Sequence, residues 1–103
     1  MMAKVLEGFW YSEREPHLPM PVPGEMEDRE GFVAALRRLQ SRLPTTAYRG
    51  WSNCRICGGM NGSEEYKHGV WEWPSGYLHY IVEHGVVPSP EFEAMVRAEA
   101  GVR

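Results

Sequence analysis

The chain has 103 residues, which is the usual length of one domain and enough for one modest hydrophobic core. Its formal net charge is −3, and the whole of that excess falls after residue 50. Since nucleic-acid binding usually depends on a basic surface, this charge weakly opposes such a role. No apolar run approaches the roughly 20 residues of a membrane span, and a charge interrupts the N-terminus before a signal peptide forms. We therefore expect a cytoplasmic protein that does not associate with a membrane.

The N-terminal part, residues 1–27, is predicted to be extended. Residues 5–12 are rich in aromatic side chains and are typical of a strand. Residues 16–24 contain four prolines, which exclude a helix and a central strand. We interpret them as a proline-rich arm, and packing of this arm on its own domain is favoured over its use as a ligand for another protein.

Residues 28–46 contain the clearest helix signal in the chain. Between residues 28 and 43, apolar side chains recur at steps of three and four, and Pro44 ends the pattern. The apolar positions are Phe32, Val33, Leu36, Leu39 and Leu43. Acidic residues stand in the first turn and arginines near the last, as the helix dipole favours.

Residues 47–87 are predicted to form a knuckle, a hairpin and a helix. The strands are expected at 47–52, 63–67 and 70–73, with the hairpin turning at His68-Gly69. The helix is expected to start with Ser75 as its N-cap and to end at Gly85.

Residues 88–103 are predicted to form a C-terminal helix with Ser89 as its N-cap and Pro90 at its first position. These elements together predict a single small α+β domain with a short antiparallel sheet and three helices. The domain is too small for a large core, so we expect a bound zinc ion to contribute to its stability.

The metal prediction rests on Cys54, Cys57, His79 and His84. Their order is Cys-x₂-Cys-x₂₁-His-x₄-His, in which both pair spacings suit structural zinc, although the central gap exceeds the usual 12–15 residues. The predicted hairpin fills that gap. Positions five apart on a helix diverge by about 140°, so we expect tightening of the helix end beside Gly85 to bring the histidines together.

The fourth ligand has an alternative, because His68 at the hairpin turn could replace His79 or His84. Four protein ligands would close the site and make the zinc structural, whereas a catalytic zinc keeps one position for water. A zinc-protease motif fails because Tyr80 stands where the motif needs glutamate or histidine. A dithiol redox role is disfavoured because glycines, and no helix start, follow the cysteines.

Four short motifs follow one another between Gly50 and Phe92. They are Trp51-Ser52-x-Cys54-Arg55-x-Cys57-Gly58, Asn61-Gly62-Ser63, Trp73-Pro74 and His79-Tyr80-x₃-His84-x-Val86. Together they resemble a group of small bacterial and phage zinc-binding proteins. The order of knuckle, hairpin and helix is also similar to zinc-knuckle and treble-clef-like domains. The resemblance implies a bound zinc ion and brings no enzymatic activity with it.

Three functions follow from these patterns. A protein-binding adaptor or inhibitor is favoured by the closed site, the mild acidity and the lack of a nucleophile–base motif, with another protein as the partner. A nucleic-acid or transcription-related zinc module is the alternative. It needs five arginines to meet an anionic partner, namely Arg37, Arg38, Arg42, Arg49 and Arg55. A nuclease that uses His68 with Glu64 or Glu65 is the least supported, so we predict no catalytic residue.

Overall fold

The computed structural model describes residues 4–12, 15–47 and 53–101, which form three helices and four strands. The elements in chain order are β1 (Val5–Leu6), α1 (Arg29–Gln40), β2 (Thr45–Ala47), β3 (Glu64–His68), β4 (Trp71–Pro74), α2 (Tyr77–His84) and α3 (Pro90–Gly101). The predicted α+β class with three helices is thus confirmed. None of these helices has the length and apolar character needed to span a bilayer.

The sheet is mixed, with strand order β1-β4-β3-β2. The predicted hairpin is present as the antiparallel pair β3–β4, with Gly69 in the left-handed conformation at its turn. Strand β2 also pairs antiparallel, but β1 runs parallel to β4. The expectation of a purely antiparallel sheet was wrong at this edge. No short turn joins β1 to β4, so chain connectivity does not set their relative direction.

One face of the sheet packs on α1 and α3 and forms the core. Trp73 of β4 is fully buried, and its ring lies edge-on to Phe92 with the ring centroids 5.1 Å apart. The Trp73 indole N–H donates to Gln40 Oε1 at 2.9 Å, so the largest core side chain leaves no polar atom without a partner. Phe32 and Leu36 of α1 complete the contact, as the apolar stripe predicts.

Local hydrogen bonds define where helix α1 begins and where it ends. Asp28 is its N-cap and accepts from the Gly31 N–H at 3.1 Å. The helix ends at Gln40, earlier than the apolar pattern indicates, and tighter bonds follow it, such as Leu43 N–H to the Gln40 carbonyl at 3.1 Å. Leu43 still packs partly buried against the core.

The helix caps after the hairpin are only partly those predicted. Ser75 is not the N-cap of α2, because its N–H donates to the Glu64 carbonyl and extends the sheet; Gly76 takes that position without a side-chain cap. Gly85 ends α2 in the left-handed conformation, as predicted. The Ser89 hydroxyl accepts from the Phe92 N–H at 3.2 Å, so the predicted cap of α3 is confirmed.

The N-terminal strand is much shorter than predicted. Gly8 has a left-handed backbone (φ 79°), and a Cβ there would lie 2.4 Å from Tyr77 Cγ, so the chain leaves the sheet at this point. The proline arm then returns to its own domain. Pro23 bridges Val86, and the Gly24 N–H donates to the Gly85 carbonyl at 3.0 Å.

Two polar side chains tie these segments together. Arg29 of α1 donates to the carbonyls of Val86 at 2.9 Å and Gly24 at 2.7 Å, which joins the end of α2 to the arm. The Glu7 carboxylate accepts from the Tyr77 hydroxyl at 2.6 Å and from the N–H and hydroxyl of Ser89, each at 2.9 Å. Burial, and then the charge of Glu7, raise the pKa of Tyr77, so this hydroxyl remains a donor.

Candidate metal centre

The two cysteines lie on a tight turn that aims both sulfurs to one side. The Cys54 N–H donates to the Gly59 carbonyl, and the Gly58 N–H donates to the Cys54 carbonyl, each at 2.9 Å. Gly58 has a positive φ of 75°, which glycine adopts without strain. The N–H groups of Ile56 and Cys57 lie 3.4 and 3.5 Å from Cys54 Sγ. The turn therefore places cysteines three positions apart on one side, and its backbone favours glycine directly after the second cysteine.

Helix α2 supplies the two histidines and ends in a glycine cap directly after the second one. The Tyr80 carbonyl accepts from the N–H of Gly85, five residues on, and from that of Val86 at 3.1 Å. These bonds close the helix end, as a glycine in the left-handed conformation commonly does. The expected tightening between the histidines stays a prediction. The His79 and His84 ring centroids lie 5.0 Å apart.

The four predicted ligands converge on one point. Their ligand atoms all lie within 4.8 Å of one another. Cys57 Sγ and His79 Nε2 are 3.6 Å apart. Bond lengths of about 2.3 Å to sulfur and about 2.05 Å to nitrogen, at a tetrahedral angle, predict about 3.6 Å between such a pair. This distance therefore matches shared coordination of one ion.

An unsatisfied atom also points to a metal. His84 Nε2 is buried and has no hydrogen-bond partner among the described residues. Buried polar atoms are nearly always paired, so an unpaired ring nitrogen inside a cluster of thiols requires an explanation. A metal ion at the centre of the cluster would accept its lone pair.

The electrostatics favour the thiolate form of Cys54. Its burial would raise the thiol pKa, but the N–H groups of Cys57 and Ile56, together with side-chain hydrogen bonds from Cys57 and Tyr80, hold that pKa below its ordinary value. The thiolate is the form that binds metals. Two thiolates and two imidazoles in a tetrahedral arrangement suit zinc, which takes this donor set in closed structural sites.

Tyr80 supports the cluster and was not predicted as part of the site. It is 3% exposed, and its hydroxyl oxygen accepts from the Arg55 N–H at 2.7 Å while contacting the Cys54 sulfur. Burial raises the pKa of Tyr80, and the Cys54 charge adds to the effect. The Arg55 guanidinium donates to the Tyr11 carbonyl at 2.6 Å, so the knuckle also contacts the N-terminal segment that follows β1. Adjacency to His79 was the only sign of this role in the sequence.

His68 lies outside the cluster. Its Nε2 is 3.3 Å from a carboxylate oxygen of Glu99 on α3. Side chains alternate along a strand, so His68 and Glu65 lie on opposite faces of the sheet. The predicted nuclease pairing of these two residues is thus geometrically excluded, whereas Glu64 shares the face of His68.

The predicted anion-binding arginines are mostly engaged within the chain. Arg38 and Arg42 donate to the Ala100 carbonyl at 3.3 and 3.4 Å, which satisfies the last turn of α3. Arg55 donates to the carbonyls of Tyr11, in the N-terminal segment, and of Asn53, in the knuckle. Arg49 lies outside the described residues. Of the five, Arg37 alone has a described guanidinium without a hydrogen bond or ion pair.

Comparison of the chain with protein-family models, with curated proteins and with solved structures gave no match. The likeness to small bacterial and phage zinc-binding proteins therefore stays a prediction. Its first motif begins at Trp51-Ser52, which lies outside the described residues.

Proposed function

We propose that the chain is a zinc-stabilised protein-interaction module, which acts as an adaptor or an inhibitor. The observation that carries the zinc assignment is the convergence of four ligand atoms within 4.8 Å, with a buried His84 nitrogen unpaired among the described residues. Four protein donors fill a tetrahedral zinc, so the site supplies stability and leaves no position for substrate.

A structural role agrees with the two segments that the cluster joins, which are the knuckle and helix α2. Within the described residues 53–60, the knuckle around Cys54 contains no helix and has a single isolated bridge, between Asn53 and Met60. Helix α2 has eight residues, which is too short to be stable alone. Zinc held by both segments would fix them to each other, and metal-binding free energy would become folding free energy.

An interaction role is supported by apolar side chains that stay exposed beside the cluster. Ile56 is 45% exposed and Met60 is 67% exposed at the knuckle, and Val82 on α2 is 44% exposed. Apolar surface that a small domain leaves open around a rigid centre is typical of a protein contact. The nucleic-acid alternative is disfavoured by the arginines, because Arg38, Arg42 and Arg55 already bind carbonyls.

Native mass spectrometry combined with circular dichroism tests the zinc assignment. We expect one zinc per chain and loss of helical signal when a strong chelator removes it. Cys57→Ser should lose zinc, whereas His17→Ala should retain it, because the His17 imidazole is largely exposed on the arm and is not one of the four clustered ligands. A metal-free chain with an unchanged spectrum would overturn the proposal.

A further inference from the structure

A continuous groove runs between α1 and α2 on the outside of the domain. It consists of two adjoining cavities of about 370 Å³ and about 280 Å³, which share Arg37 and Val82. The larger cavity has a mainly apolar lining, which includes Val33 and Ala34. The smaller one is more polar, because Ser75 and Glu83 line it together with Leu78. Helix α1 packs mainly on α3 and makes a smaller contact with α2, so the described residues leave the cleft between α1 and α2 open.

Arg37 lines both cavities of this groove, and it differs from the other arginines that the structure describes. Arg29, Arg38, Arg42, Arg55 and Arg97 all donate to carbonyls or carboxylates of the chain. The Arg37 guanidinium has no such contact within the described ranges, and it lies next to the exposed Val82. A free guanidinium on an apolar surface is complementary to a carboxylate on an apolar partner.

We propose that this groove binds an amphipathic helix of another protein, in which a central Asp or Glu pairs with Arg37. Two helices form its sides, and a third helix can pack into such a groove with its ridges between theirs. At 1.5 Å per residue the eight-residue α2, the shorter wall, is about 12 Å long, so the groove accommodates about two turns of a partner. The proposal rests on the interaction role proposed above and names the partner of that surface.

The charges around the groove define the partner further. Arg29 and Glu30 line one cavity and offset each other's charge, whereas Glu83 lines the other, with Arg37 common to both. A matching helix therefore carries its acidic residue near the middle and a basic residue towards Glu83. This pattern separates it from a uniformly acidic peptide, which Glu83 would repel.

The groove and the metal cluster share one helix. His79 lines the cavity that also contains Val82, so zinc would hold the wall formed by α2 in place. Peptide binding should accordingly disappear when a chelator removes the metal. This coupling links the two proposals while leaving them separately measurable.

The test uses the full zinc-loaded chain and a phage-displayed library of 12-residue helical peptides. We expect enrichment of peptides with apolar residues at helical spacing and a central carboxylate. Measured by fluorescence anisotropy, Arg37→Glu should weaken the binding of an enriched peptide by at least about tenfold. A peptide in which the carboxylate is changed to arginine should regain binding to that variant. Lys67→Glu makes the same charge change on an exposed strand position and should have no effect.

Each other result overturns the groove proposal. One such result is a library that yields no binder to the folded, zinc-loaded chain. Another is a set of peptides that bind Arg37→Glu and Val82→Asp as tightly as the wild type. A dimer in light scattering that Arg37→Glu converts to a monomer would make a second copy the occupant instead. Because zinc content is measured first, a failure of the zinc assignment is distinguishable from a failure of the groove.

Discussion

Replacing Glu7 by alanine should destabilise the fold more than any exposed acidic substitution. The Glu7 carboxylate accepts hydrogen bonds from the Tyr77 hydroxyl and from two donors of Ser89, at 2.6–2.9 Å. Hydrogen bonds to a charged group contribute about 1.5–3 kcal/mol each, but their losses overlap when one side chain is removed. Since Glu7 is half-buried and water can replace part of the network, we expect a loss of about 3 kcal/mol.

Thermal unfolding of zinc-loaded protein measures this effect. For a domain of this size, about 3 kcal/mol lowers Tm by about 15 °C. Glu15→Ala is the matched control, because the Glu15 side chain is largely exposed and forms a surface pair with His17, so its Tm should change by less than about 3 °C. Glu7→Gln keeps one acceptor oxygen and should fall between the two. If Glu7→Ala unfolds at the temperature of the Glu15→Ala control, the assigned network does not hold the N-terminal segment.

Three further predictions concern the cluster and the sheet. His84→Ala should weaken zinc binding by more than about 100-fold in a chelator competition, whereas His68→Ala should not, because only His84 lies in the cluster. Tyr80→Phe should weaken zinc binding about tenfold in the same titration, since the Tyr80 hydroxyl accepts a hydrogen bond from the knuckle. Glu65→Gln should raise Tm at pH 7, because burial and the neighbouring Glu72 raise the pKa of Glu65. The folded wild type loses stability as pH rises through that raised pKa, so the gain should shrink towards pH 5.

The contradicting results differ for each of these variants. Equal losses of zinc affinity in His84→Ala and His68→Ala would show that the observed cluster is not the site. An unchanged affinity in Tyr80→Phe would reduce that side chain to a packing role. A gain from Glu65→Gln that is the same at pH 5 and pH 8 would arise from packing and not from titration of Glu65. Metal loss does not disturb this comparison, since both proteins lose metal equally at any one pH.

Local patterns in the sequence were sufficient for the elements that local forces decide. The apolar stripe of α1 predicted the buried positions Phe32 and Leu36, and the caps at Gly85 and Ser89 were correct. The ligand order also predicted which side chains meet, because the knuckle and the helix are short rigid units whose spacing limits the possible arrangements.

Contacts between distant segments could not be read from local spacing. Glu7 bonds to Ser89, which lies 82 residues further on, and Arg29 reaches the end of α2. Neither residue has a distinctive neighbour in the sequence. The direction of β1 was missed for the same reason, because its partner strand β4 comes much later in the chain, after α1, β2 and β3.

X-ray absorption at the zinc edge tests the Cys₂His₂ assignment most directly. For purified zinc-loaded protein the assignment predicts two sulfur neighbours at about 2.3 Å and two nitrogen neighbours at about 2.0–2.1 Å, with no other first-shell atom. A shell with a single sulfur, or with a water oxygen in place of a histidine nitrogen, would contradict the closed site formed by Cys54, Cys57, His79 and His84.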